Sequence, residues 1–149
     1  RALRSRAGNS ARASAMRIYS WNLAGLNSTF SQSREPSRFG SLEAYLDSLD
    51  AEIVCFQEAK VRRDKLAERF RDDALVAGWH TFWSTCVVEG KKSYSGVATF
   101  VREAHTPLYA NGRPLGVKEL DDEGRCMLTD HGSFVLFNVY APNGSDTGE

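Results

Sequence analysis

The pattern of apolar and polar positions divides the chain into short elements joined by polar turns. Ile53, Val54, Cys55 and Phe56 form an unbroken apolar run, as a strand buried on both faces would. The run ends in Gln57, Glu58 and Lys60. A carboxylate at the mouth of a buried strand costs desolvation energy unless a cation or hydrogen bonds satisfy it. Upstream, Met16–Trp21 reads as a first strand with Ile18 and Trp21 as its bulky members, stopping at Asn22-Leu23-Ala24-Gly25. Asn27–Gly40 reads as a Ser-rich polar loop broken at Glu35-Pro36. Ser41 is a candidate helix N-cap, and Leu42, Tyr45, Leu46 and Leu49 fall on one helical face. Strand, helix and strand in so short a span make a βαβ unit with parallel strands. The C-terminal strand ends, Asn22 and Glu58, then share a sheet edge, where open α/β folds bind ligands.

Further along, Arg62–Phe70 reads as a short charged helix and Trp79–Trp83 as the start of a strand. Trp79, Phe82 and Trp83 are read as core, and His80 as half-buried packing. Glu89–Ser93 is a polar loop leading to Tyr94-Ser95-Gly96 and the strand Val97–Val101; Lys91-Lys92 lies in it, just before Tyr94. Arg125–Thr129, Asp130–Ser133 and Phe134–Tyr140 follow, and the last two segments read as an antiparallel hairpin with Gly132 in its turn. The fold class is α/β.

Length and composition narrow the picture. At 149 residues, 42% hydrophobic and 26% charged, the chain has the makings of one globular domain. No apolar run approaches the roughly 20 residues of a membrane-spanning helix. Cys55, Cys86 and Cys126 show no C-x-x-C spacing, and Cys55 lies in the buried strand, so reduced thiols in a reducing compartment are expected. The net charge of zero hides an asymmetry: Arg1, Arg4, Arg6, Arg12, Arg17 and Arg34 all precede the first acidic residue, Glu35. Residues 1–15 read as a disordered basic leader, either upstream sequence before Met16 or an Arg- and Ser-rich mitochondrial transit peptide. Residues 16–149 read as a domain.

Three strands share one design, an apolar run closed by a polar side chain. They end at Asn22, Glu58 and Tyr140. An amide, a carboxylate and a phenol at one sheet edge suit a hard cation such as Mg²⁺ and an oxyanion.

The wording of the motifs is more specific. Trp21-Asn22-Leu23-Ala24-Gly25-Leu26, Ile53-Val54-Cys55-Phe56-Gln57-Glu58-Ala59-Lys60, Tyr94-Ser95-Gly96-Val97-Ala98, Asp122-Glu123-Gly124-Arg125 and Asn138-Val139-Tyr140-Ala141-Pro142-Asn143 resemble the endonuclease/exonuclease/phosphatase superfamily. Within it they resemble the exonuclease III type of apurinic/apyrimidinic (AP) endonuclease. The polar loop after Leu26 and the Ser93–Phe100 wording resemble the second nuclear branch of the eukaryotic enzymes. The resemblance implies a four-layer α/β sandwich, with this chain as its N-terminal half. It also implies metal-dependent phosphodiester hydrolysis on DNA in base excision repair, as AP endonuclease with 3′-exonuclease or 3′-phosphodiesterase activity. By resemblance Glu58 binds Mg²⁺, with Mn²⁺ as a substitute, and Asn22 and Tyr140 are catalytic. Lys60, Tyr94, Arg125 and Asn143 match positions that hold the DNA backbone. The implied partner is duplex DNA with abasic sites or blocked 3′ ends, with no membrane partner, in the nucleus or alternatively the mitochondrion.

The departures are as informative. Ala24 stands where many relatives have an Asn or Asp near the metal, Asn27 replaces an Arg, and Asp146 lies near the position of a wedge Arg. The family's Asp-x-Asn and terminal Ser-Asp-His motifs do not occur in the sequence. Thr129-Asp130-His131 looks like the latter but precedes Gly132, and is read as a solvated turn. The 149 residues alone are therefore expected to cleave no AP-site duplex. Other reactions on the same scaffold, by a retroelement endonuclease or an RNA deadenylase, stand as alternatives, as does a non-catalytic DNA- or partner-binding half-domain.

Overall fold

The structure, a computed structural model, describes residues 15–30, 40–68, 76–91, 93–142 and 144. The elements run β1 (Ile18–Asn22), α1 (Leu26–Phe30), α2 (Leu42–Ser48), β2 (Ile53–Gln57), α3 (Arg63–Glu68), β3 (Trp79–Ser84) and β4 (Val97–Arg102). A 3-10 turn (Glu103–His105), β5 (Tyr109–Asn111), α4 (Lys118–Asp122), β6 (Cys126–Asp130) and β7 (Val135–Val139) follow. The first sheet has the order β1-β2-β4-β3, the second β5-β6-β7. β1 and β2 are parallel, in the register Ile18↔Ile53 to Asn22↔Gln57, as the βαβ reading requires. The other pairings are antiparallel.

β2 is buried on both faces because each face has its own cover. Val54 and Phe56 join Phe100, Trp79, Leu42, Tyr45 and Leu46 in the core beneath the helices. Ile53, Cys55 and Val101 pack with Phe82, Phe134 and Leu136 on the side of the second sheet. Each large apolar side chain so buried contributes roughly 1.5–3 kcal/mol. Helix α2 begins where the sequence places it: the Ser41 hydroxyl accepts the Ala44 N–H at 3.1 Å.

A buried amide bonds the second sheet to the first. Asn138 of β7 is 2% exposed, and its Nδ2 donates to Phe56 O (3.3 Å), Ala98 O (2.9 Å) and Thr99 Oγ1 (3.1 Å). Its Oδ1 accepts from Gln57 Nε2 at 2.7 Å. One side chain thus reaches β2 and β4 from β7. On the outward face of β7, Val135, Phe137 and Val139 remain about half exposed (49%, 52% and 47%).

The far edge of the first sheet, at the start of β2 and end of β4, consumes its charges internally. The Arg102 guanidinium lies 3.9 Å from the Trp79 ring centroid and donates to Asp47 at 2.7 Å. Trp79 Nε1 donates to the same Asp47 oxygen at 3.2 Å, and Arg17 pairs with Asp50.

The structure differs from the sequence reading in several places. Leu26–Phe30, read as the start of a loop, is a helical turn. The Ser28 and Thr29 hydroxyls donate to Gly25 O (2.9 Å each), and Phe30 inserts beside Trp21, Tyr45 and Phe56. Strand β5 and helix α4 carry no clear periodicity in sequence. The turn at Gly132 is as read, but the strand that enters it is Cys126–Asp130 in place of Asp130–Ser133, and its His131 is half-buried. The ring stacks on Phe134 at 4.6 Å, and Nε2 lies 3.0 Å from Thr129 Oγ1. The leader residues 1–14, together with Lys92, Asn143 and Asp146, lie outside the described residues.

Candidate active site

β1 and β2 are parallel and β4 runs against β2, so the ends of β1 and β2 and the start of β4 meet at one edge. The loops there are unusual in backbone conformation. The described non-glycine residues with positive φ are Ala24 (54°), Glu58 (51°), Lys60 (53°), Ser93 (115°) and Ser95 (53°), and all belong to these three loops. Such conformations cost of order 1–3 kcal/mol each and persist only where surrounding structure imposes them. Backbone bonds between loops impose them here. Ala59 N–H donates to Gly96 O, Lys60 N–H to Ser95 O, Leu23 N–H to Gln57 O and Leu26 N–H to Ala59 O, each at 2.9 Å. Glu58 and Lys60 are thereby turned out of strand geometry onto one side of the edge.

Glu58 is the hub. Its Oε1 accepts Asn22 Nδ2 at 2.7 Å, and its Oε2 lies 2.9 Å from the Lys60 ammonium. The Tyr140 phenol stands near enough to the same carboxylate for each to influence the other's ionisation. Asn22 is oriented from its other end, because Oδ1 accepts the Ala24 N–H at 3.1 Å. Lys60 first, then the Asn22 amide, hold the Glu58 carboxyl below its ordinary pKa, against the opposing effect of desolvation. Burial, and next the charge of Glu58, push the Tyr140 phenol up. Glu58 is therefore an anion at neutral pH, and Tyr140 a protonated donor.

A second cluster adjoins the first through Tyr140. Glu123 accepts Lys91 Nζ at 2.8 Å and Arg125 Nε at 2.6 Å. Arg125 Nη2 reaches the Tyr94 hydroxyl at 3.3 Å, and its guanidinium lies 5.6 Å and 5.7 Å from the Tyr94 and Tyr140 ring centroids. Arg125 Nη1 is buried with no hydrogen-bond partner among the described residues. Gly124 makes this arrangement possible. Its φ is +68°, and a Cβ there would stand 2.5 Å from the Thr85 carbonyl carbon. Only glycine lets the chain press against the Thr85–Cys86 peptide and present Glu123 and Arg125 on either side. Tyr140 N–H donates to Arg125 O at 2.8 Å, tying the ends of β6 and β7 together.

The structure thus brings together Asn22, Glu58, Lys60, Tyr94, Arg125 and Tyr140 of the residues chosen from sequence. Asn143 lies outside the described residues. Sequence reasoning missed three residues. Glu123 was quoted in a motif but given no task, although an acid two positions from an Arg across a glycine is a readable pairing. Asn138 was passed over although it shares the inward face of β7 with Leu136, and an amide on an apolar face needs buried partners. Lys91, in the polar loop just before Tyr94, has nothing beside it in sequence that points to its pairing with Glu123.

Among the described residues no group of three or more His, Cys, Asp or Glu side chains is placed to hold a metal. Glu58 offers one hard carboxylate already facing a cation, the Lys60 ammonium. That suits an ion such as Mg²⁺, which uses one or two carboxylates and keeps several waters. The donor set fits as one part of such a site.

These features define a polar edge that sets a carboxylate among cationic and phenolic side chains on a two-sheet α/β scaffold, and the comparisons agree with that architecture. The family model for the Endonuclease/Exonuclease/phosphatase family matches residues 19–137, and the chain belongs to this family. Among similar proteins is the mouse (Mus musculus) "DNA-(apurinic or apyrimidinic site) endonuclease 2", 34% identical over 90% of this chain and 31% of that protein. The "Exodeoxyribonuclease" of Bacillus subtilis is 30% identical over 86% of this chain and 43% of its own length. The solved structure of the Xenopus laevis APE2 catalytic domain superposes with a TM-score of 0.68 at 33% identity, covering 87% of this chain and 46% of that one. The chain spans between about a third and a half of the length of these relatives.

Proposed function

We propose that this chain forms one wall of the active site of a DNA-repair nuclease. That nuclease would cut the phosphodiester backbone at abasic sites and remove residues or blocking groups from 3′ ends. The observation that carries this reading is the Glu58 carboxylate held between Asn22, Lys60 and Tyr140, with Arg125, Lys91 and Tyr94 alongside. A carboxylate for a cation next to donors for a phosphate is the arrangement phosphodiester hydrolysis requires. Nucleases of this family are generally divalent-metal dependent; we assign Mg²⁺, with Mn²⁺ able to replace it, and Glu58 as the side chain of this chain that would hold it. When bound, the ion supplies Lewis acidity toward the phosphate and a template for the attacking water.

The residues of the chain then divide the remaining work. Asn22 fixes the rotamer of Glu58 through Oε1. Tyr140, kept protonated, donates to a non-bridging oxygen of the scissile phosphate. Lys60, Tyr94 and Arg125 hold the flanking backbone, contacts that position the duplex and weaken with salt. Asn143, by its motif, joins them. We assign the protein to the nucleus, a reading that its similarity to AP endonuclease 2 supports. No described side chain stands as the base that activates water, so we assign that task to residues outside this sequence.

Assays of the full-length protein on an abasic-site duplex and on a recessed 3′ end test the reading. Glu58→Gln should lower both activities at least about 100-fold, since even groups that only support a metal ligand are worth 10- to 100-fold. Unchanged activity in Glu58→Gln would overturn it. The 149 residues by themselves should incise nothing. Incision by them that Glu58→Ala abolishes would return the base to this chain.

A further inference from the structure

We propose that Lys60 is a resident counter-cation of Glu58, displaced when a divalent cation binds and then available to a substrate phosphate. Metal binding and DNA binding would be coupled through this one side chain. The inference rests on the reading of Glu58 as a metal-holding carboxylate.

Three observations carry it. First, the Glu58 oxygens are already committed, Oε1 to Asn22 Nδ2 at 2.7 Å and Oε2 to Lys60 Nζ at 2.9 Å. A divalent ion must come within about 2.1 Å of a carboxylate oxygen. It cannot do so at Oε2 with a like-charged ammonium on the same oxygen. Second, Lys60 is fixed at its root and free at its tip. Its backbone N–H is tied to Ser95 O at 2.9 Å, and φ is 53°. Its side chain is 40% exposed, against 20% for Glu58. The ammonium can leave Glu58 without disturbing the loop. Third, Glu58 is the one carboxylate that pairs with Lys60 in the described residues. Ala24, across the site, offers no side-chain acceptor to receive the displaced ammonium. An incoming phosphate at Tyr140 and Arg125 does offer one.

The consequence is reciprocal. If the ion raises the affinity for duplex by releasing Lys60, the duplex must raise the affinity for the ion by the same factor. Removing the ammonium removes both the competition and the coupling.

The test is Mn²⁺ binding by the full-length protein, read from the electron paramagnetic resonance signal of free Mn²⁺, with and without an abasic-site duplex bearing a non-hydrolysable phosphorothioate linkage. Without DNA, Lys60→Met should bind Mn²⁺ about tenfold more tightly than wild type, the size of one competing ion pair. Lys60→Arg, which keeps the charge, should stay near wild type. Duplex should tighten Mn²⁺ binding in wild type and leave it nearly unchanged in Lys60→Met. Equal or weaker Mn²⁺ binding by Lys60→Met overturns the proposal. If Lys60→Met loses its native circular dichroism, Lys60→Gln serves under the same criteria. Glu58→Gln separates the two levels of the argument. If it leaves Mn²⁺ binding unchanged, the metal reading of Glu58 has failed; if it abolishes binding while Lys60→Met has no effect, only the exchange has failed.

Discussion

The two edges of the first sheet hold similar side chains to different ends. At the far edge, Arg102 stacks on Trp79 and bonds to Asp47, Trp79 bonds to the same Asp47, and Arg17 bonds to Asp50. Its backbone is ordinary. At the near edge the loops hold the described non-glycine residues of positive φ, Arg125 Nη1 has no hydrogen-bond partner among the described residues, and Asn22 and Lys60 converge on Glu58. The far edge uses charge to close the fold. The near edge keeps charge and backbone strain, as sites that must bind something else do. Substitutions should therefore separate stability from activity according to the edge they touch.

The largest effect is expected between the edges, at Asn138. Asn138→Ala removes four hydrogen bonds, with Gln57 Nε2, two carbonyls and the Thr99 hydroxyl, and should lower stability by about 3 kcal/mol in chemical denaturation. It should also lower nuclease activity, because β7 carries Tyr140. Next comes Glu58→Gln, with its loss of activity of about 100-fold and little change in denaturation midpoint. A midpoint that fell as far as for Asn138→Ala would erase the distinction between the edges.

Cys55, midway along β2, supplies a pH probe. Burial is the main cause that lifts its thiol from 9.0 to about 11, with a hydrogen bond from Thr99 acting the other way. The unfolded thiol ionises first. Its contribution is thus fully present below pH 9 and is lost as pH rises through 11. Stability of wild type relative to Cys55→Ala should fall across that window by about 3 kcal/mol, and a flat difference would show an exposed thiol.

Smaller effects sharpen the contrast. Arg102→Met should cost about 1 kcal/mol of stability and leave DNA binding and cleavage unchanged; a loss of cleavage would make the far edge functional. Ala24→Gly should instead raise stability by about 0.5 kcal/mol, since glycine accepts positive φ without a Cβ penalty. Destabilisation there would mean that the loop is not strained.

The near edge was legible where chemistry lies along the chain and obscure where it lies across it. The apolar run Ile53–Phe56 with Glu58 beyond it, and the Ser41 cap, were plain because strand burial and capping are local patterns. The parallel pairing of β1 and β2 followed from the short connection. Asn138 could not be placed, because its value comes from Phe56, Ala98 and Gln57, which are distant in sequence. The positive φ of Glu58 and Lys60 left no trace either, since neither is glycine and the cause is the carbonyls of Ser95 and Gly96. Helix α1 was hidden by its polar composition, with only Leu26 and Phe30 turned inward.

The outer row of β7 has a practical consequence. Val135, Phe137 and Val139 stand half exposed on the strand that leads to Tyr140. A row of β-branched and aromatic side chains on a strand with an open edge is a template for pairing with another copy. The 149-residue polypeptide should therefore be colloidally unstable at high concentration. Its light scattering should rise with protein concentration, and ligand titrations on it should be run dilute.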